Sequence, residues 1–199
     1  RHIDLDLPVA LKVMHPHIAR QPEFRRRFRD VEAQKAARLD HPSIINVRDY
    51  GEVADLLFIV MDFVPGSNLA AHIRQMQQKG GLQESLFVLA QAADALSYAH
   101  QQGVIHRDIK PDNILLKTLT APERAGEPAL RAVVTDFGLA RLESGSNITK
   151  TGTFMGTLPY MSPEQCLSGK VGGRTDIYAV GVILFQLSTG QLLFPITSP

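Results

Sequence analysis

Apolar residues alternate with other residues over positions 5–14. Leu5, Leu7, Val9, Leu11 and Val13 fall on one face of an extended chain, which predicts a strand. Pro8 suits the start or the edge of that strand. From Pro22 the period lengthens. Phe24, Phe28, Val31 and Leu39 share one stripe of a predicted helix, with Glu32 and Ala36 beside it and Arg25, Arg26, Arg27 and Arg29 largely off it. Proline fits the first helical position, where its missing N–H loses no bond. His41-Pro42 ends the helix. Strands are predicted at 45–51 and 56–62, followed by a turn or hinge at Pro65-Gly66.

Beyond residue 66 the pattern is helical. A short amphipathic helix at 68–79 closes on Gly80-Gly81, and a long one at 83–102 stops at Gly103. Short strands are predicted at 114–116 and 132–135, with a polar, Pro- and Gly-containing surface insertion at 117–131 between them. Residues 138–158 have no period and read as a loop. Residues 176–187 are apolar nearly all round and read as a buried helix. Strands first and helices later predict an α+β fold in two lobes: a partial antiparallel β lobe at 1–64 and a mainly helical lobe at 65–199.

Composition narrows the function classes. The 199 residues suffice for a real core, and 44% apolar with 21% charged is ordinary for a globular chain. A net charge of +1 gives no bulk attraction to nucleic acid or a membrane surface. The longest apolar run, 179–187, is interrupted by Gly181 and Gln186 and is too short to span a bilayer. One cysteine, Cys166, excludes an internal disulfide framework and a cysteine zinc cluster. With no signal peptide in view, a cytoplasmic location is expected. His15 and His17 read as surface turn residues, not metal ligands.

The chemistry concentrates in His106-Arg107-Asp108-Ile109-Lys110-Pro111-Asp112-Asn113, between a helix stop and a strand. Phosphoryl transfer to a hydroxyl needs a carboxylate to orient the hydroxyl, a cation near the phosphoryl group, and oxygen ligands for a metal ion. Asp108, Lys110 and Asn113 supply these within six positions. A solvated polar loop is the plain reading of scattered His, Arg and Asp, but it does not account for all eight residues in this order and context.

The octet resembles the catalytic loop of eukaryotic-type Ser/Thr protein kinases, and the family's other motifs follow in order. Val9-Ala10-Leu11-Lys12 resembles the third-strand lysine motif, Asp136-Phe137-Gly138 the metal-binding loop, and Ser162-Pro163-Glu164 the end of the activation segment. The run 156–165 is most similar to bacterial members. The resemblance implies an ATP-dependent transferase acting on Ser and Thr of proteins, itself included, with Mg2+ or Mn2+ as metal. It implies a Lys12–Glu32 ion pair at the phosphates and metal ligation by Asn113 and Asp136. Ala10 and Leu115 would sandwich adenine, with Met61 behind it and the backbone of Asp62 and Val64 along its edge. His106 and Phe137 would stack with Ala36 and Val47, and Asp176 would anchor the catalytic loop. Gly138 would let the metal loop turn.

The same resemblance implies regulation. Arg107 would pair with a phosphate on Thr149, Thr151 or Thr153, while Thr157 marks Ser/Thr specificity; Ser144 and Ser146 lie in the same segment. The chain begins without a methionine or a Gly-x-Gly-x-x-Gly loop and is expected to start mid-domain. The partner arginine of Glu164 is expected beyond residue 199, so Glu164 is expected to stand unpaired and residues 1–199 alone to be inactive. A non-catalytic scaffold of the same fold has no chemical need for Lys12, Glu32, Asp108, Asn113 and Asp136 together. A small-molecule phosphotransferase would not call for Lys110-Pro111 or Thr157.

Overall fold

The structure, a computed structural model, describes residues 7–14, 19, 22–28, 33–54, 56–79, 81–137, 158–167 and 169–194. Glu32, Gly138, Ser144, Ser146, Thr149, Thr151, Thr153, Thr157, His15 and His17 lie outside them. Strands β1 (Val9–Val13), β2 (Val47–Val53) and β3 (Leu56–Asp62) form an antiparallel sheet in the order β1-β3-β2. Alternation in β3 sends Leu57, Ile59 and Met61 inward. Those three pack with Met14, Phe24, Phe28, Ile45 and Val133. Helices α1 (Pro22–Arg27) and α2 (Ala33–Ala37) cover the predicted helix on either side of undescribed residues. Phe24 and Phe28 stack at 6.2 Å, and Phe28 meets Tyr50 edge-on at 6.3 Å.

Strand β2 starts two residues later than the pattern predicts, because the backbone before it is committed elsewhere. Ile45 N–H donates to Val134 O at 2.9 Å, and Val134 N–H donates to Ser43 O at 2.9 Å. This pairing joins the first sheet to the second lobe. A second tie lies next to it: the His41 ring stacks on Tyr98 at 5.3 Å, and Tyr98 OH accepts from Asp40 N–H at 3.3 Å.

The second lobe holds β4 (Ser67–Asn68), α3 (Leu69–Lys79), α4 (Leu82–Gln101), β5 (Ile114–Thr118), β6 (Leu130–Val134), α5 (Pro163–Cys166) and α6 (Gly173–Thr189). Asn68 stays extended against Leu115, and its Oδ1 accepts Ala71 N–H at 2.9 Å, so it caps α3 from outside. Strands β5 and β6 extend into the predicted insertion, pairing Lys117 with Arg131 and Thr118 with Leu130. The ladder continues because nothing in those residues breaks it, and the loop proper shrinks to 119–129. Gln91 of α4 seals the outer edge of β6: its amide donates to Leu130 O at 3.2 Å and accepts Ala132 N–H at 2.8 Å.

The main core lies between α4 and α6. Val88, Leu89, Ala92, Ala95, Leu96 and Ala99 face Ala179, Val182, Ile183 and Leu187. Here the sequence expectation needs correction, since α6 is not buried all round. Ile177 is 65% exposed, and Leu184 and Phe185 are also exposed. Positions 179, 182, 183 and 187 make one helical stripe, and these are the fully buried apolar residues of α6, with Tyr178 and Val180 partly buried beside them. None of the described helices is long and apolar enough to cross a membrane.

Candidate active site

The loop at 106–113 is held in one conformation by its own side chains. Asp108 Oδ2 lies 3.0 Å from Lys110 Nζ and accepts Asn113 Nδ2–H at 3.0 Å. Asn113 Nδ2 also donates to Asp108 O at 2.7 Å, closing the loop on itself. A 3-10 turn at Pro111–Asn113 then feeds β5, with Pro111 at a position that needs no donor. A carboxylate, an ammonium and an amide thereby converge on one point.

His106 ties this loop to the metal-loop segment. It is fully buried, its Nε2–H donates to Thr135 O at 2.7 Å, and its Nδ1 accepts Asp108 N–H at 3.2 Å. Those bonds require a neutral ring with the hydrogen on Nε2. Burial pushes its pKa below the ordinary 6.5, against the pull of Asp176, Asp108 and Asp136. Thr135 N–H donates in turn to Asn113 O at 3.0 Å. The next residue, Asp136, has φ 69°, and Arg107 has φ 71°. Both occupy the left-handed region, which an arginine avoids and an aspartate tolerates. The backbone thus turns sharply at Asp136, while Gly138, of which a turn is expected, lies outside the described residues.

Lys12 Nζ lies 2.7 Å from Asp136 Oδ1. The expected partner, Glu32, is outside the described residues, and the structure pairs Lys12 with the metal-loop carboxylate. Register sets Lys12 opposite Ile59 and Ala10 opposite Met61. Ala10, Val64 and Leu115 are half-buried, all three against the cluster that contains Met61. Asp62 N–H donates to Asn46 O at 3.0 Å, and its carboxylate pairs with Arg48. Behind this cleft, Phe137 meets His106 at 4.7 Å and lines one small pocket with Ala36, Val47 and Met61.

An outer layer fixes the loop's backbone. Asp176 is 1% exposed; its Oδ2 accepts His106 N–H at 2.9 Å and its Oδ1 accepts Arg107 N–H at 2.8 Å. Gln165 Nε2 donates to Arg107 O at 2.7 Å, while its Oε1 accepts Ser162 N–H at 3.1 Å. The latter is half of a capping box at the start of α5, with Pro163 at its first helical position. Glu164 is expected to lack an arginine partner, and the contact the structure gives it is a neutral hydroxyl. Thr175 Oγ1 donates to it at 2.6 Å, and this bond holds its carboxyl below the usual range. The phenol of Tyr160 donates to Gln186 at 2.7 Å, and burial pushes its pKa up to about 12. Sequence reasoning missed Gln165, Thr175 and His100, whose Nε2 lies 2.7 Å from Asp176. Of these, the Ser-x-x-Gln spacing at 162–165 was the readable signal.

The profile of the family described as "Protein kinase domain" matches residues 1–198. The serine/threonine-protein kinase PrkC of Bacillus subtilis is 41% identical over 194 residues, covering 96% of this chain and 28% of PrkC. PknJ of Mycobacterium tuberculosis is 41% identical over 194 residues, covering 98% of this chain and 31% of that protein. The chain thus spans less than a third of the length of these relatives. The crystal structure of the Mycobacterium tuberculosis PknI kinase domain superposes with TM-score 0.73 at 32% identity, covering 100% of this chain and 72% of that one. Shared sequence along nearly its whole length and a shared two-lobed fold place the chain in one family: it belongs to the protein kinases.

Proposed function

We propose that the protein is an ATP-dependent protein serine/threonine kinase, which moves the γ-phosphoryl group of ATP to Ser and Thr hydroxyls of proteins, its own chain included. The observation that carries this is the convergence of Lys110 and Asn113 on Asp108 Oδ2. With both bonds on Oδ2, Oδ1 is the oxygen we assign to the acceptor hydroxyl, to orient it and take its proton. Lys110 would screen the charge on the transferred group. Lys12 would exchange its bond with Asp136 for phosphate oxygens, supported by Glu32. Ala10, Leu115 and Met61 would enclose adenine, and the backbone of Asp62 and Val64 would border its edge.

The donors present fit a hard divalent cation. Asn113 uses its Nδ2 on Asp108, which leaves Oδ1 as its metal donor, and Asp136 adds a carboxylate at a strand end. When bound, Mg2+ or Mn2+ neutralises phosphate charge. His106, Phe137, Ala36 and Val47 would form the internal column. Asp176 would hold the loop and Gly138 the metal-loop turn, while Glu164 would anchor the activation segment. Arg107 would receive a phosphate on Thr149, Thr151 or Thr153, and Thr157 would favour Ser and Thr acceptors. The lobes would divide at residues 64/65.

The test is incubation of the full-length protein with labelled ATP and Mg2+, then with Mn2+, followed by phospho-amino-acid analysis. Phosphoserine and phosphothreonine are expected, with incorporation lost in Asp108→Asn. No incorporation, or undiminished incorporation in the variant, refutes the reading.

A further inference from the structure

A cavity of about 670 Å³ lies apart from the cleft that holds Asp108. Its walls come from both lobes: the 40–46 segment ahead of β2, the chain on either side of Phe63, and the β5–β6 hairpin. Lys12, Asp108, Asn113 and Asp136 do not line it, nor do Ala10, Met61 and Leu115; Asp62 and Val64 are all it shares with the residues assigned to the nucleotide. Ile44, Ile45 and Val133 line it as buried side chains, while Phe63 and Leu7 are 53% and 43% exposed. The space suits a drug-sized molecule or a short stretch of chain.

The hairpin brings an uncompensated charge to this cavity. Leu115 pairs with Val133 and Lys117 with Arg131, so Val133, Lys117 and Arg131 share one face of the two strands. Two cations directly opposite one another disfavour such a pairing. Arg131 is compensated by Glu123 of the hairpin loop, and Arg48, on another wall, by Asp62. Lys117 has no ion pair among the described residues, and neither has Asp40, on the wall ahead of β2. Each lobe therefore gives the cavity one free charge, of opposite sign, beside exposed apolar surface. A small anion would satisfy Lys117 and leave Asp40 and Phe63 uncovered. An extended peptide meets all three. Its alternate side chains point one way, so apolar residues can enter together while charged residues beyond them reach the rim.

We propose that this cavity is a docking site for an extended segment of acceptor proteins, with an acidic residue for Lys117, a basic residue for Asp40 and apolar side chains at alternate positions between them. The proposal rests on the kinase reading above and deepens it, by giving acceptor selection to a surface remote from the transferred phosphoryl group.

The experiment measures binding to the full-length protein by fluorescence anisotropy, which needs no turnover. The probe is a pool of labelled heptapeptides with a basic first residue, an acidic last residue, leucine at the third and fifth places, and glycine, alanine or serine elsewhere. A second pool carries lysine in place of the acid. Saturable binding of the first pool is expected, about tenfold weaker for Lys117→Glu. On the second pool the order should reverse, with Lys117→Glu binding about tenfold more tightly than wild type. No saturable binding of the first pool, or equal affinity of the two proteins for each pool, overturns the proposal. So does displacement of the first pool by acetyl-glutamate at equal concentration, which would make the cavity a small-anion site. With Mg-ATP, an acceptor serine peptide fused to a first-pool sequence should show a KM about tenfold below that of the unfused peptide at the same kcat, a gain lost in Lys117→Glu. Phosphorylation without that gain overturns the docking role. If no phosphate is transferred to any peptide, the kinase reading fails, and the binding result alone decides the site.

Discussion

His106 combines full burial, a neutral ring and contact with both loops of the site, and pH reads out that combination. Its pKa is depressed in the folded chain, so the unfolded chain takes up a proton as pH falls through about 6.5 while the folded chain does not. Its contribution to stability is therefore complete above that value and is lost as pH falls below it. Urea midpoints between pH 7.5 and 5.5 should fall more steeply for the wild type than for His106→Asn; equal slopes would show that this ring does not drive the loss. Asp136 offers a separate check on the chemistry. Asp136→Asn keeps an oxygen and tolerates the left-handed backbone, yet it removes the charge shared with Lys12. We expect turnover to fall by orders of magnitude with little change in melting temperature. Wild-type rates would refute the metal-ligand role.

Among elements, the β4–β5 pairing is the most demanding of backbone geometry. Gly66 has φ 132°, and a Cβ there would stand 2.4 Å from the carbonyl oxygen of Leu116, a backbone atom that cannot move aside. Gly66→Ala should destabilise the protein by about 1–3 kcal/mol, measured by chemical denaturation; an unchanged midpoint would contradict the close approach. Pro65-Gly66 was legible as punctuation, as were the helix stop at Gly103 and all seven residues of β3. Other boundaries were not. Ile44 and Ile45 look like strand residues, but their backbone pairs with Val134, some ninety positions on. Helix α6 looks buried from composition, yet coverage depends on what packs against each stripe, which periodicity alone does not report. At the site, residues adjacent in sequence such as Asp108, Lys110 and Asn113 were readable from spacing. His100 and Thr175 act through partners 76 and 11 positions away and carry no local pattern.

On the scale of the whole molecule, the two lobes are joined by the Ser43–Val134 pairing and by Tyr98 beneath His41, close to the start of β2. A phosphate in the segment after Asp136 would act across this joint through Arg107. Arg25 of α1 is engaged with Glu52 and donates to Ala19 O at 2.6 Å, so a role for it as a second partner of that phosphate would require exchange of those bonds. The Thr149/Thr151/Thr153 triple alanine variant of the full-length protein should lose most of its activity and carry no phosphate in that segment by mass spectrometry. Full activity would exclude switching there. The left-handed turns at Arg107 and Asp136 also bear on how the sequence can drift. Under the proposed function, thermal stability and turnover would respond differently to substitution at both positions. A side chain in that conformation costs about 1 kcal/mol relative to glycine, which would offset part of what is lost with the bonds of the replaced side chain, so Arg107→Gly and Asp136→Gly should lose far less in melting temperature than in turnover. A selection for thermostability alone, run without an activity screen, would then be expected to tolerate glycine at these two positions and to lose the proposed activity unnoticed.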